Sequence, residues 1–189
     1  KELSKFAKKH KLKIGRINDL IAYRIKIEKL IKFKKSEKIL IKKQKYQIKI
    51  FENILDSSEN FALVKGNLKK NKNPRVRVVS SNIVQNYLMG QKLPNSFNQT
   101  INYFKYHKEC VLIFIRDTNL KSVSQTLRDY KNNKFYKICQ DKLIKNYGIV
   151  AQIIKSLNFK NMILVTRSKK KVVGLERYEI KITKQEIIR

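Results

Sequence analysis

The chain has 189 residues, of which 45 are Lys or Arg and 14 are Asp or Glu, giving a formal charge of +31. That length allows one domain with an appendage, and a 42% hydrophobic fraction can fill a real core, which excludes disorder throughout. A surplus of this size self-repels unless a polyanion neutralises it, so the fitting partners are nucleic acid or an anionic membrane surface; membrane is set aside because the longest apolar run, VLIFI at 111–115, is far short of the roughly 18 residues of a spanning helix.

Residues 1–38 read as a basic, mainly helical arm. In KELSKFAKKHKLKI, Leu3, Phe6, Ala7 and His10 fall at helical spacing, and Asn18-Asp19 resembles a start signal for DLIAYRIKIEKLIKF, whose last part alternates as a strand would. Residues 1–45 hold 17 basic and 4 acidic side chains, more than the arm's share of the charge. From Ile39 the period becomes two, predicting strands at 39–41, 47–51, 61–64 and 76–79 with a strongly basic turn, KGNLKKNKNPR, at 65–75. A helix is predicted at 97–107, a buried strand from Cys110 to Ile115 and an amphipathic helix in YGIVAQIIKSLNF. A strand at 162–166, a basic helix at 168–177 and a closing strand at Ile180-Lys181-Ile182 complete the chain. Helices alternating with strands predict an α/β domain over 39–189.

Lys, Ile and Asn dominate, Trp is absent, and Gly and Pro number 5 and 2. A low-GC coding genome produces that bias, so part of the lysine excess is expected to be mutational. The two cysteines, Cys110 and Cys139, lie in apolar surroundings and argue against a disulfide scaffold or a Cys-rich zinc site. No cleavable targeting segment is legible in the first residues, and a mature chain would in any case have lost one.

YGIVAQIIKSLNFKNMILVTRSKKKVVGLERYEIKI, residues 147–182, resembles the end of GTP cyclohydrolase II, where a YGIGAQIL-like helix leads to a strand ending LLTNNP, a Lys-rich turn and a GLEGYG-like element. ENFALVKGN at 59–67 and RVRVVSS at 75–81 resemble earlier strands of that domain. Residues 2–31 are similar to the end of 3,4-dihydroxy-2-butanone 4-phosphate synthase, which precedes the cyclohydrolase in bifunctional riboflavin enzymes. The resemblance implies a mixed sheet flanked by helices and, in the working enzyme, a zinc ion on three cysteines that generates the ring-opening hydroxide. At those three positions this chain carries Asn82, Leu93 and Asn95. The family's Glu-Gly-Arg segment is replaced by Thr118, Asn119 and Leu120, and its Asp and Arg of D-x-R-D-Y-G by Leu143 and Lys145. A leucine accepts no proton, and a lysine lacks arginine's planar fork. The region between Asn119 and Leu143 is also shorter than in the family. Arg77, Thr166 and Lys171 do match nucleotide-contacting positions, so a residual nucleotide pocket competes there with a strand end and a surface lysine.

Other constellations weigh less. His10 and His107 have no Cys, Asp or second His at ligand spacing. Glu109 and Asp117 fall at opposite ends of one strand, as solvated strand termini do. Tyr103, Phe104 and Tyr106, interleaved with Lys105 and Lys108, read either as a base-stacking surface or as core. The cations expected to meet phosphate are Lys8, Lys9, Lys11, Lys13, Lys34, Lys35, Lys65, Lys69, Lys70, Lys72, Arg75, Arg167, Lys169 and Lys170, because a merely solvated face mixes signs. The expectation is therefore a pseudoenzyme without cofactor, metal or membrane, bound to RNA, above all ribosomal RNA, beside ribosomal proteins in an organelle, the mitochondrion ahead of the plastid. The rivals are an inactive regulatory partner of riboflavin-pathway enzymes and a chain that still binds or turns over GTP.

Overall fold

The computed structural model describes residues 2–15, 23, 27–68, 73–81, 96–116, 128, 147–169 and 175–188. Among them the alternating segments become seven strands of one sheet: β1 (Ile31–Ile41), β2 (Gln44–Asn53), β3 (Glu59–Lys65), β4 (Arg75–Ser81), β5 (Cys110–Arg116), β6 (Asn161–Thr166) and β7 (Lys181–Ile187). The helices are α1 (Glu2–Lys9), α2 (Ser96–Lys105) and α3 (Tyr147–Ser156), with one 3-10 turn at Leu175–Tyr178. None of the described helices is long and apolar enough to cross a membrane.

The strand order is β1-β2-β3-β5-β4-β6-β7. Pairing is antiparallel from β1 through β3 to β5, and parallel from β5 through β4 and β6 to β7. β5 lies inside this sheet with helices over both faces, which is why CVLIFI is a continuous apolar run and not an alternating one. Its Val111, Ile113 and Ile115 join Ala62, Val64, Val76, Met162 and Leu164 beneath Val150, Ile153 and Ile154 of α3. Cys110 and Leu112 face the other way, with Leu63, Val79 and Tyr46, against Ile101 and Phe104 of α2. Each fully buried Ile or Leu in these layers contributes roughly 1.5–3 kcal/mol.

Two helix ends are closed by side chains or backbone suited to the task. At the C-terminus of α2 the Lys65 ammonium donates to the carbonyls of Phe104 (2.5 Å) and Lys105 (3.5 Å), placing a cation on the negative end of the helix dipole. After α3, Asn158 adopts the left-handed conformation (φ 61°), a role that asparagine tolerates.

Two expectations change. Residues 31–38, assigned to the helical arm, are the first part of β1, so the boundary after residue 38 falls inside a strand; the alternation of IKFKKSEKILI prevails over the helical reading. Of the basic helix expected at 168–177, Ser168 and Lys169 are irregular and residues 175–177 lie in the 3-10 turn that begins at Leu175; residues 170–174 lie outside the described residues. The start signal at Asn18-Asp19, the segments 82–95 and 129–146 and Cys139 lie outside the described residues.

Candidate functional site

β4 and β6 run parallel, with Arg75 opposite Ile163 and Val76 opposite Leu164. The next residue, Arg77, is 5% exposed and donates from Nη1 to the carbonyl of Val165 at 3.3 Å. Its Nε has no hydrogen-bond partner among the described residues, and neither has the buried Oγ1 of Thr166. Burial, followed by the nearby Arg167 guanidinium, lowers the Arg77 pKa to about 10, so the group remains a cation at neutral pH. Arg77 and Thr166 are thus neighbours on adjoining strands, joined through the Val165 carbonyl. Alternation sets Thr166 on the side of Met162 and Leu164 and sets Arg77 on the side of Val79. Exposed Arg167 donates to Gln99 Oε1 of α2 at 3.0 Å. Buried polar atoms lacking protein partners are places where a ligand or water completes the hydrogen bonding. Lys171 lies outside the described residues.

Two of the cations expected to meet phosphate are engaged by the fold. Lys65 holds Gln44 Oε1 (2.7 Å) together with the end of α2. Arg75 Nε donates to Glu186 Oε2 (3.0 Å) and to the Tyr103 hydroxyl oxygen (3.2 Å), while the Tyr103 hydroxyl donates to the same carboxylate. Burial would raise the Glu186 pKa, but hydrogen bonds from Tyr103, Arg75 and Lys184 outweigh it and hold the carboxyl at about 2. Burial and the Glu186 contact push Tyr103 up to about 12, so it keeps its proton. Lys8, Lys9, Lys11, Lys13, Lys34, Lys35, Arg167 and Lys169 are exposed, although Lys34 pairs with Glu52 (3.0 Å) and Lys35 with Glu37 (2.9 Å). Lys69, Lys70, Lys72 and Lys170 lie outside the described residues.

The aromatic cluster divides. Phe104 is core and Tyr103 turns into the ion pair, whereas Tyr106 is 81% exposed. His107 packs on the Tyr103 ring, centroids 4.5 Å apart, and burial, then the Arg75 charge, lowers its pKa. The backbone of Glu109 accepts the Arg75 N–H at 3.2 Å; Asp117 is not among the described residues. The sequence reading missed Gln152, Glu186 and the Lys42-Lys43 turn. Only the turn had a local signal, the gap at 42–46 between the strands predicted at 39–41 and 47–51, which the structure narrows to two residues.

A three-cysteine zinc site does not fit this donor set. The chain has two cysteines, one fewer than such a site needs, and Cys110 is buried in the core beneath α2. Among the described residues no three His, Cys, Asp or Glu side chains gather as a metal group. Asn82, Leu93 and Asn95, outside the described residues, offer no sulfur.

The sheet order, the flanking helices and the motifs on them agree with one family, and the chain belongs to it: the model of GTP cyclohydrolase II matches residues 33–186. The riboflavin biosynthesis protein RibBA of Endomicrobium trichonymphae is 27% identical over 97% of this chain and 48% of its own length. The monofunctional riboflavin biosynthesis protein RIBA 2, chloroplastic, of Arabidopsis thaliana is 27% identical over 96% of this chain and 39% of its own. The 3,4-dihydroxy-2-butanone 4-phosphate synthase of Neisseria meningitidis is 30% identical over 85% of this chain and 44% of its own. The crystal structure of RibBX, a two-domain 3,4-dihydroxy-2-butanone 4-phosphate synthase from A. baumannii, shares the fold: TM-score 0.62 at 23% identity, over 98% of this chain and 48% of that one. The chain spans about half the length of the relatives it matches, or less.

Proposed function

We propose that this chain is a non-catalytic domain of the GTP cyclohydrolase II fold that acts as a scaffold or regulatory part of a riboflavin-biosynthesis assembly. The observation that carries this reading is the donor set: the chain has two cysteines where the family's zinc site takes three, and the resemblance sets Asn82, Leu93 and Asn95 at those positions and Leu143 at that of the acid. A relative named only as 3,4-dihydroxy-2-butanone 4-phosphate synthase aligns over 85% of this chain, which supports a use of the fold apart from GTP chemistry. The test is to load the purified chain with zinc, quantify bound metal and assay formate released from GTP. Substoichiometric zinc and no formate are expected; one zinc per chain with GTP-dependent formate overturns the reading.

A second reading is favoured by the charge. At +31 the chain is an RNA-binding protein, and in its most specific form a component of an organellar ribosome, mitochondrial ahead of plastid, beside ribosomal proteins. Many phosphate contacts require log affinity to fall steeply with log salt. A flat slope, or failure to sediment with ribosomal particles at high salt, removes it.

A further inference from the structure

The β1–β2 hairpin ends in a two-residue loop closed by the pair Ile41 and Gln44, with Lys42 at φ 47° and Lys43 at φ 62°. Both central residues are left-handed, the requirement of a type I′ turn, which Asn-Gly meets with least strain. Two lysines hold this strained position instead. The tip is also fixed against the end of α2. Lys42 Nζ donates to Asn102 Oδ1 at 3.2 Å, and Gln44 beside the tip is bound by the Lys65 ammonium that caps Phe104 and Lys105. Tyr106 follows directly after the last residue of α2, its N–H turned back to the Tyr103 carbonyl at 3.3 Å and its side chain 81% exposed. Lys43 of the tip and Lys105 next to Tyr106 are exposed. Among the described residues no carboxylate pairs with Lys42, Lys43 or Lys105 within 4.0 Å.

We propose that the Lys42-Lys43 tip and Tyr106 form one contact for single-stranded nucleic acid, the lysines meeting successive phosphates and the ring taking the face of an unstacked base. A duplex keeps its bases stacked, so an exposed ring beside point charges fits a single strand better. The inference rests on the RNA-binding reading.

The test measures binding of a labelled oligouridylate and of an RNA duplex across a salt series. It compares the unaltered chain with Lys42→Asn/Lys43→Gly, Tyr106→Ala, Tyr106→Phe and a charge-matched control at two exposed lysines outside the expected phosphate contacts, Lys160→Ala/Lys181→Ala. The tip variant places preferred residues in the I′ turn and so keeps the fold, which a thermal melt verifies. It is expected to weaken oligouridylate binding more than the control does and to flatten the log–log salt slope by about 0.7 for each phosphate that is no longer neutralised. Tyr106→Ala is expected to lose roughly tenfold, with Tyr106→Phe close to the unaltered chain, because stacking needs the ring and not the hydroxyl. Tip and Tyr106→Ala variants no weaker than the control, or duplex bound as tightly as single strand, overturn the proposal while RNA binding itself stands. Absence of RNA binding by the unaltered chain overturns the reading beneath it as well.

Discussion

Gln152 on α3 holds Leu30 at the threshold of the first strand: its Oε1 accepts the Leu30 N–H at 2.8 Å, and its Nε2 donates to the Glu28 carbonyl at 2.7 Å. One amide thereby satisfies two main-chain groups where the chain has left the arm and has not yet entered the sheet. On the other side of the junction, the Leu30 carbonyl accepts the Ile54 N–H at 2.9 Å, so the entry to β1 is tied both to α3 and to the β2–β3 turn.

Replacing Gln152 by Ala leaves a donor and an acceptor unmet in a part-buried place, at a cost of about 1–3 kcal/mol. Gln152→Glu keeps an acceptor for the Leu30 N–H but sets a carboxylate oxygen against the Glu28 carbonyl, two acceptors facing each other. Urea unfolding should place both variants below the unaltered chain, with amide exchange at Leu30 faster in Gln152→Ala than in Gln152→Glu, which keeps the acceptor for that N–H. Equal midpoints for all three would mean that α3 holds the arm by packing alone.

The Arg75–Tyr103–Glu186 cluster joins β4, α2 and β7, and its pH dependence has a definite sign. The Glu186 carboxyl is held at about 2, below its ordinary 4.5. A depressed carboxylate adds stability above the unfolded-state value, and this is lost as pH falls from about 4.5 toward 2. Glu186→Gln should flatten the stability profile across that window and cost about 1–3 kcal/mol at neutral pH, where Arg75 loses a charged acceptor. Parallel acid profiles for the two proteins would refute the assignment.

How much of the fold and site is legible in the sequence depends on the range of the interaction. β5 is readable because burial on both faces leaves a continuous apolar run, and α3 because its apolar residues recur at helical spacing. The cations are misjudged where long-range geometry decides. Lys65 and Arg75 look like their neighbours in KGNLKKNKNPR, yet one caps a helix 39 residues away and the other pairs with a carboxylate 111 residues away. Nor does composition distinguish Tyr106 from Tyr103: the end of α2 turns one outward and the other onto Glu186. The clip made by Gln152 spans 122 residues and leaves no local trace.

Gly66 occupies a position that glycine alone fits. Its φ is 78°, and a β-carbon there would press into the carbonyl of Lys108, which is backbone and cannot turn aside. Gly66→Ala adds left-handed strain and a steric clash, together about 1–3 kcal/mol or more. Because Lys65 caps α2 from the adjacent position, the loss should be accompanied by faster amide exchange at the α2 C-terminus. A change within about 0.5 kcal/mol, the range of ordinary surface substitutions, would show that the β3–β4 turn relaxes freely.

The Lys42-Lys43 turn predicts a substitution that strengthens the fold. A left-handed conformation costs a non-glycine residue roughly 1–2 kcal/mol, and asparagine and glycine avoid most of that. Part of the gain is returned because glycine has more freedom to lose from the unfolded chain, and the exposed Lys42–Asn102 bond is removed as well. Lys42→Asn/Lys43→Gly should therefore raise stability by a net 1 kcal/mol or about 2 at most, seen as a higher urea midpoint at unchanged slope. A lower midpoint would mean that the lysines contribute to the hairpin through packing that outweighs their backbone strain. A higher midpoint together with weaker single-strand binding is the outcome that sets stability against a function of the tip, since a strained residue persists where what it binds outweighs what it costs the fold.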